Sequence, residues 1–195
     1  MVLATDRLVL RPWTAADFEA FAALNADPRV MEYFSSSVLT LERSAFFFHA
    51  ILAHFDREGF GFWAVERRSE PGCIGFTGLA RVAFEAPFTP AVEIGWRIAA
   101  AHWGNGYAPE AAGAALRFAF AELRLPEVVA FSAVENGRSR RVMEKIGMER
   151  DAEGDFDHPR APPGHRLRRH VLYRIRAPLT AAQASASTRD PGAPL

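Results

Sequence analysis

Glu93-Ile94-Gly95-Trp96-Arg97-Ile98 runs through Ala99-Ala100-Ala101-His102-Trp103 into Gly104-Asn105-Gly106-Tyr107-Ala108-Pro109-Glu110-Ala111. A strand over Ala91–Ile98 enters a glycine-rich turn, and a helix from about Pro109 to Leu123 follows at once. Ala112, Ala115, Leu116, Ala119, Phe120 and Leu123 recur at spacings of three and four, which puts them on one buried helical face. Pro109 suits a first turn, because its missing N–H would be unpaired there anyway. Free backbone N–H groups at such a helix start, with the positive end of the helix dipole, suit a phosphate. A glycine pair alone also serves any tight strand-to-helix turn. Two nucleotide-binding patterns are excluded. The turn lacks the third glycine of the dinucleotide fingerprint and sits mid-chain, and no Gly-Lys-Ser/Thr follows it as a P-loop requires.

Downstream, Val128–Val134 is a near-continuous apolar run, as expected of a strand buried on both faces. Asn136 then stands as an N-cap with Ser139 in the first turn of a helix over Gly137–Ile146, and Gly147 follows as its C′ residue. Upstream, Gly61–Glu66 and Cys73–Val82 read as strands joined by the polar turn Arg67–Gly72. Alternating Leu8 and Leu10 mark a first strand that stops at Pro12. Thr14 with Asp17 resembles a capping box for a helix burying Phe18, Phe21 and Ala22. A second helix begins near Thr40, buries Leu41, Ala45, Phe48, Leu52 and Phe55, and ends at Gly59. Val171, Tyr173 and Ile175 alternate in a last strand, and Phe156–His165, with its prolines, reads as a long loop. The order β-α-α-β-β-β-α-β-α-β-β predicts an α/β protein with a mixed sheet and helices on both faces. Residues 5–177 are expected to form the domain, and the Ala-, Ser-, Thr- and Pro-rich segment 178–195 a disordered tail.

The 195 residues suffice for one well-cored domain, and the 49% apolar content, with 16 Phe and 4 Trp, excludes a disordered chain. Basic and acidic residues balance at 23 each, so no net charge draws the chain to nucleic acid. No window approaches the roughly 18 apolar residues of a membrane helix, and the amino-terminal segment lacks a signal-peptide core. A cytoplasmic protein is expected. Cys73, the lone cysteine, has no partner for an internal disulfide or a zinc pair.

Four pieces in this order resemble the GNAT N-acetyltransferases, and within them the ribosomal-protein-alanine (RimJ/RimL) branch. They are Thr5 to Trp13, Glu93 to Trp96, Trp103 to Ala111, and Asn136 to Ser139 continuing through Lys145 to Met148. The resemblance implies the acyl-CoA N-acyltransferase fold, in which two central parallel strands splay to admit acetyl-CoA as cosubstrate. It places the pyrophosphate on the backbone of Gly104, Asn105, Gly106, Tyr107 and Ala108, and the pantetheine arm along Ile98. Asn136 and Ser139 would flank the other side. An amine would attack the thioester directly, so no cysteine nucleophile is required. Glu93 is the expected base, since an amine attacks only when neutral.

Two positions depart from the family, and one of them is Trp103, which stands in the loop where the motif often has Gln or Arg. Met143 stands where many members carry a tyrosine acid, and the RimL-type pattern points instead to Ser139 as the hydrogen-bond donor to the leaving thiolate. That loss motivates the alternative of an inactive acyl-CoA-binding sensor. The acceptor is expected to be an amine of a protein N-terminus or a small molecule, with no nucleic acid or membrane partner; the resemblance is compatible with a homodimer. In the late segment Asp155 or Asp157 is expected to recognise a cationic amine, or the segment is merely a hydrogen-bonded hairpin. No metal is expected, because the histidines there lack a ligand spacing.

Overall fold

The computed structural model describes residues 1–178. A single residue pair joins its two central strands, β5 (Val92–Ile98) and β6 (Glu127–Ala133), which run parallel and register only at Glu93 and Val129. Around this pair lie β1 (Leu3–Ala4), β2 (Leu8–Arg11), β3 (Phe62–Arg67), β4 (Glu70–Arg81), β7 (Glu149–Asp157) and β8 (Arg169–Arg176). The sheet order is β1-β2-β3-β4-β5-β6-β8-β7, and every neighbouring pair except β5 with β6 is antiparallel. The helices are α1 (Phe18–Ala26), α2 (Pro28–Met31), α3 (Leu41–Glu58), α4 (Tyr107–Ala121) and α5 (Gly137–Lys145). This is the mixed sheet with splayed parallel strands that the sequence predicts.

The apolar residues divide into two clusters. In one, Ala111, Ala112, Ala115, Phe118 and Ala119 of α4 and Met143 of α5 pack with Leu8, Leu10, Trp63, Ile94, Ile98 and Val128 of the sheet. The alanines let α4 lie close against the strands. In the other, Phe21 and Leu24 of α1 and Phe48 and Ile51 of α3 meet Trp13, Ala64 and Phe76. Trp13, Phe21, Phe48 and Phe76 stack edge-to-face or tilted with centroids 5.2 to 6.3 Å apart, the offset geometry that aromatic quadrupoles favour.

Local signals explain the helix limits. Thr40 Oγ1 accepts from the Arg43 N–H at the start of α3, and Gly59 closes it in the left-handed region at φ 74°. Asp17 reaches back to the Thr14 N–H at 2.8 Å and also takes a bidentate pair from Arg11 at 2.8 Å each. That ties the end of β2 to the entry of α1. Burial opposes the charge on Asp17, yet the Arg11 and Thr14 hydrogen bonds hold its carboxyl below the ordinary range.

Three expectations need correction. The buried stripe of α3 is Ser44, Phe48 and Ile51, with Phe47, Leu52 and Phe55 partly covered, while Leu41 is 67% exposed. The run Ala45–Leu52 is apolar nearly all round, so periodicity allowed two overlapping faces and the sheet selected one. Phe156 and Asp157 belong to β7, paired with His170 and Arg169, so the loop starts only at His158. Helix α4 begins two residues early, at Tyr107. The expected tail lies outside the described residues from 179 on.

Gly78 sits at φ 156°, and a Cβ there would stand 2.0 Å from the Gly61 carbonyl oxygen of the chain entering β3. Gly78→Ala should cost about 3 kcal/mol or more, since the clash is with backbone and cannot relax by rotamer change. Urea unfolding measures this, and a loss under about 1 kcal/mol would contradict so tight an approach.

Candidate active site

The strands part immediately after Glu93. Ala99 N–H donates to the Ile74 carbonyl and the Gly95 carbonyl accepts from Thr77 Oγ1, both on the β4 side. By strand alternation the peptide groups of Trp96 and Ile98, beyond the single rung, therefore face β6, where no ladder meets them. One of these is occupied: Trp103 Nε1 donates to the Ile98 carbonyl at 2.7 Å. The far edge of β6 is fully paired with β8 from Glu127 to Ala133. What remains is an open notch.

At one end of the notch lies the start of α4. Gly104 and Gly106 hold φ of 81° and 77°, the left-handed region that glycine enters without strain, and Gly106 is the N-cap. The Asn105 side chain folds inward, donating to the carbonyls of His102 and Trp103 at 3.2 and 3.1 Å. The loop is further fastened from the other end of the chain. Arg7 donates to the Asn105 carbonyl at 3.0 Å and to Glu110 at 2.6 Å, and its guanidinium lies 4.9 Å from the centre of the Tyr107 ring. Thr5 Oγ1 donates to the same Glu110 at 2.6 Å. Burial opposes ionisation of Glu110, but the Thr5 and Arg7 hydrogen bonds keep its carboxyl low and charged. The N–H groups of the first turn are thus held on a rigid frame, suited to an anion.

Helix α5 forms the opposite bank. Asn136 Oδ1 accepts from the Ser139 N–H at 3.1 Å, as the cap reading expects. Ser139 lines the notch, and its hydroxyl has no partner among the described residues. Met143 is only 1% exposed and belongs to the core, so it supplies shape and no acid. Arg138 spans the mouth, pairing with Glu32 at 2.6 Å and lying 4.4 Å from the centre of the Trp103 ring.

Glu93 stands at the head of the notch, facing a cavity of about 1120 Å3 that runs from the α4 turn to α2 and α3. It makes no hydrogen bond among the described residues. Burial pushes its carboxyl up to about 7, with the Arg160 charge opposing the rise. Beside it are Phe131, Ser132, His158 and His170. The two imidazoles lie 4.8 Å apart, and burial lowers both, His158 to about 4, so they are neutral near pH 7.

Of the residues named from the sequence, Glu93, Ile98, Gly104, Gly106, Tyr107, Ala108, Asn136 and Ser139 come together around the notch, while Asn105 does not line it, and Asn105 and Asn136 spend their side chains holding the backbone. Asp155 and Asp157 do not join them. Asp155 pairs with Arg150 at 2.5 Å and Asp157 with Arg168 at 3.1 Å. Their places at the acceptor end are taken by His158, Arg160 and Arg97. Arg97 shares strand parity with Glu93, which is the one sequence signal for it. Of the aromatic residues, Trp63 and Phe60 are core while Phe34, Phe47 and Phe62 line the cavity. Burial raises the Cys73 thiol to about 11, against any nucleophilic role. Among the described residues there is no group of three or more potential metal ligands and no helix long and apolar enough to cross a membrane.

Residues 7–149 match the family described as Acetyltransferase (GNAT) domain. The chain belongs to the GNAT acetyltransferases. It is 30% identical over 154 residues to the uncharacterized N-acetyltransferase YoaA of Bacillus subtilis (strain 168), covering 77% of this chain and 84% of that one. It is 33% identical over 168 residues to the FsC-acetyl coenzyme A-N(2)-transacetylase of Aspergillus fumigatus, covering 83% and 71%. A solved GNAT-family acetyltransferase from Bacillus anthracis superposes with a TM-score of 0.75 at 31% identity, covering 90% of this chain and 98% of that one.

Arg7→Ala should weaken CoA binding about three- to tenfold while changing stability by less than about 1 kcal/mol, because a half-exposed ion pair contributes little by itself. Calorimetric titration with CoA measures it. Unchanged affinity would show that the loop needs no fastening from β1 and β2.

Proposed function

We propose that this protein transfers an acetyl group from acetyl-CoA to a primary amine, with Glu93 as base and Ser139 as donor to the leaving thiolate. The reading is carried by one observation: β5 and β6 separate directly after Glu93, leaving its carboxyl unpaired at the head of a notch. The donor set fits a CoA thioester. First-turn N–H groups at Tyr107 and Ala108 suit the pyrophosphate, and the unpaired peptide groups of Trp96 with the Ile98 N–H suit the amides of a pantetheine arm. When bound, acetyl-CoA supplies the activated acyl group.

The chain's own residues do the rest. Glu93, ionised above pH of about 7, accepts a proton from the incoming ammonium, so the nitrogen attacks as a free amine. Ser139 offers a hydroxyl with no competing bond. A thiolate is a modest base and needs little more than such a contact. Phe131, Phe84 and Phe156 give the acceptor end apolar walls that keep water from the thioester. The acceptor is a protein N-terminus or a small-molecule amine; the order of motifs, like that of the ribosomal-protein-alanine branch, supports including the first.

Acetyl-CoA should raise the melting temperature where NAD and ATP do not, since a ligand that binds only the folded state adds about 2.7 kcal/mol at a hundredfold excess over its Kd. No shift at millimolar acetyl-CoA would end the enzyme reading. A shift without CoA release across an amine panel would favour the sensor that Met143 suggests. For the mechanism, kcat/KM should fall as pH drops below about 7, where Glu93 takes up its proton. Glu93→Gln should lower activity about a hundredfold at neutral pH and remove that limb. A profile matching the wild type would take Glu93 out of the chemistry.

A further inference from the structure

Arg97 is a buried cation without a counter-ion. Its residue is 8% exposed, it lines the cavity, and it makes no salt bridge among the described residues. One guanidinium nitrogen donates to Asn25 Oδ1. Its Nε–H, fully buried, donates to nothing, and neither does the Nδ2 of Asn25, a residue with no exposed surface. Aromatic rings make up the rest of the surroundings: the guanidinium carbon is 4.1 Å from the centre of Phe34, 5.2 Å from Phe76 and 5.6 Å from Phe47. Burial lowers Arg97 to about 9, which leaves it charged at pH 7. A buried charge of this kind is costly unless something of opposite sign meets it.

The rest of the cavity points the same way. On the acceptor side its charged lining is Arg29, Arg43, Arg97 and Arg160, against Glu93 as the one acid among the described residues. Arg29 is already paired with Asp27 at 2.7 Å. Glu93 and Arg97 lie on the same face of β5, four residues apart, which is about 13 Å at strand rise. Gly95 between them leaves that face bare, with the Phe62 ring directly over it.

We propose that the acceptor carries a carboxylate as well as its amine, and that Arg97, held from behind by Asn25, binds this carboxylate while the amine lies at Glu93. This rests on the acetyltransferase reading and narrows its acceptor. A single guanidinium enclosed by aromatic rings matches a single negative charge. The strand spacing sets the two ends of the acceptor several bonds apart. Polyamines are disfavoured, because their second cation would meet Arg97.

Three acceptors of equal length but different far ends test this: ε-aminocaproate, hexylamine and hexamethylenediamine. CoA release gives kcat/KM for each with the wild type, Arg97→Gln and Arg97→Lys. Calorimetry compares hexanoate with hexanamide binding to the CoA complex and needs no turnover. The expected order is the carboxylate first, the neutral amine second and the diamine last, with at least about a tenfold gap between first and last, as a charge-assisted contact gives. Arg97→Gln should bring the first two within about twofold, and Arg97→Lys should restore part of the preference. Hexanoate should likewise bind at least about tenfold more tightly than hexanamide. Equal use of all three amines, or preference for the diamine, would overturn the inference while leaving the acetyltransferase intact. The same holds if folded Arg97→Gln keeps the wild-type ratio. Tighter hexanoate binding with no CoA release from any amine would uphold the carboxylate site and discard the enzyme reading. Equal binding of hexanoate and hexanamide with no release would discard both.

Discussion

Backbone N–H and C=O groups inside a protein need partners, and β5 is given them on one edge only. Its β4 edge is laddered from Val92 to Ile98, whereas its β6 edge is paired at Glu93 and nowhere beyond. The divergence is maintained from both sides. β6 is committed along its whole length to β8, and the Trp103 indole takes the Ile98 carbonyl that would otherwise invite a neighbour. The Glu93 carboxyl, the unpaired peptide groups and the α4 turn all take their positions from this one parting of strands.

Electrostatics then divide the cavity by role. The α4 turn offers backbone N–H groups, fixed by Arg7 and Thr5 through Glu110, so the charged side chains there hold the scaffold and leave the dipole free. The acceptor end works with a few desolvated groups: Glu93 kept near neutrality by burial, two neutral imidazoles, and Arg97 among rings. Low polarity is what lets single residues matter at this end, because each interaction is weakly screened.

The legible part of the molecule was whatever is encoded locally. The left-handed glycines at 104 and 106, the alanine stripe of α4 and the Asn136–Ser139 cap are short-range patterns with one physical reading. Periodicity failed on α3, where an almost wholly apolar run left the face to be chosen by packing, and at Phe156, where a bulged register carries a strand through acidic sequence. The site's remaining members depend on contacts no spacing reveals. Arg97 meets Asn25 across 72 positions, and Thr5 and Arg7 meet Glu110 across 105 and 103. Asp155 and Asp157 are claimed instead by Arg150, within β7 itself, and by Arg168, just before β8.

The single rung between Glu93 and Val129 also bears on the sheet as a mechanical object. Five strands lie on one side of it and three on the other, so continuous hydrogen bonding is broken at the middle of the protein. The two sides are spanned by the α4 crossover and by core packing, which resist separation yet tolerate a small change of angle better than a full ladder would. A molecule lying along the open edges completes the ladder as a strand would. Under the proposed function the cosubstrate would be a structural member, and the sheet would be whole only while it is bound.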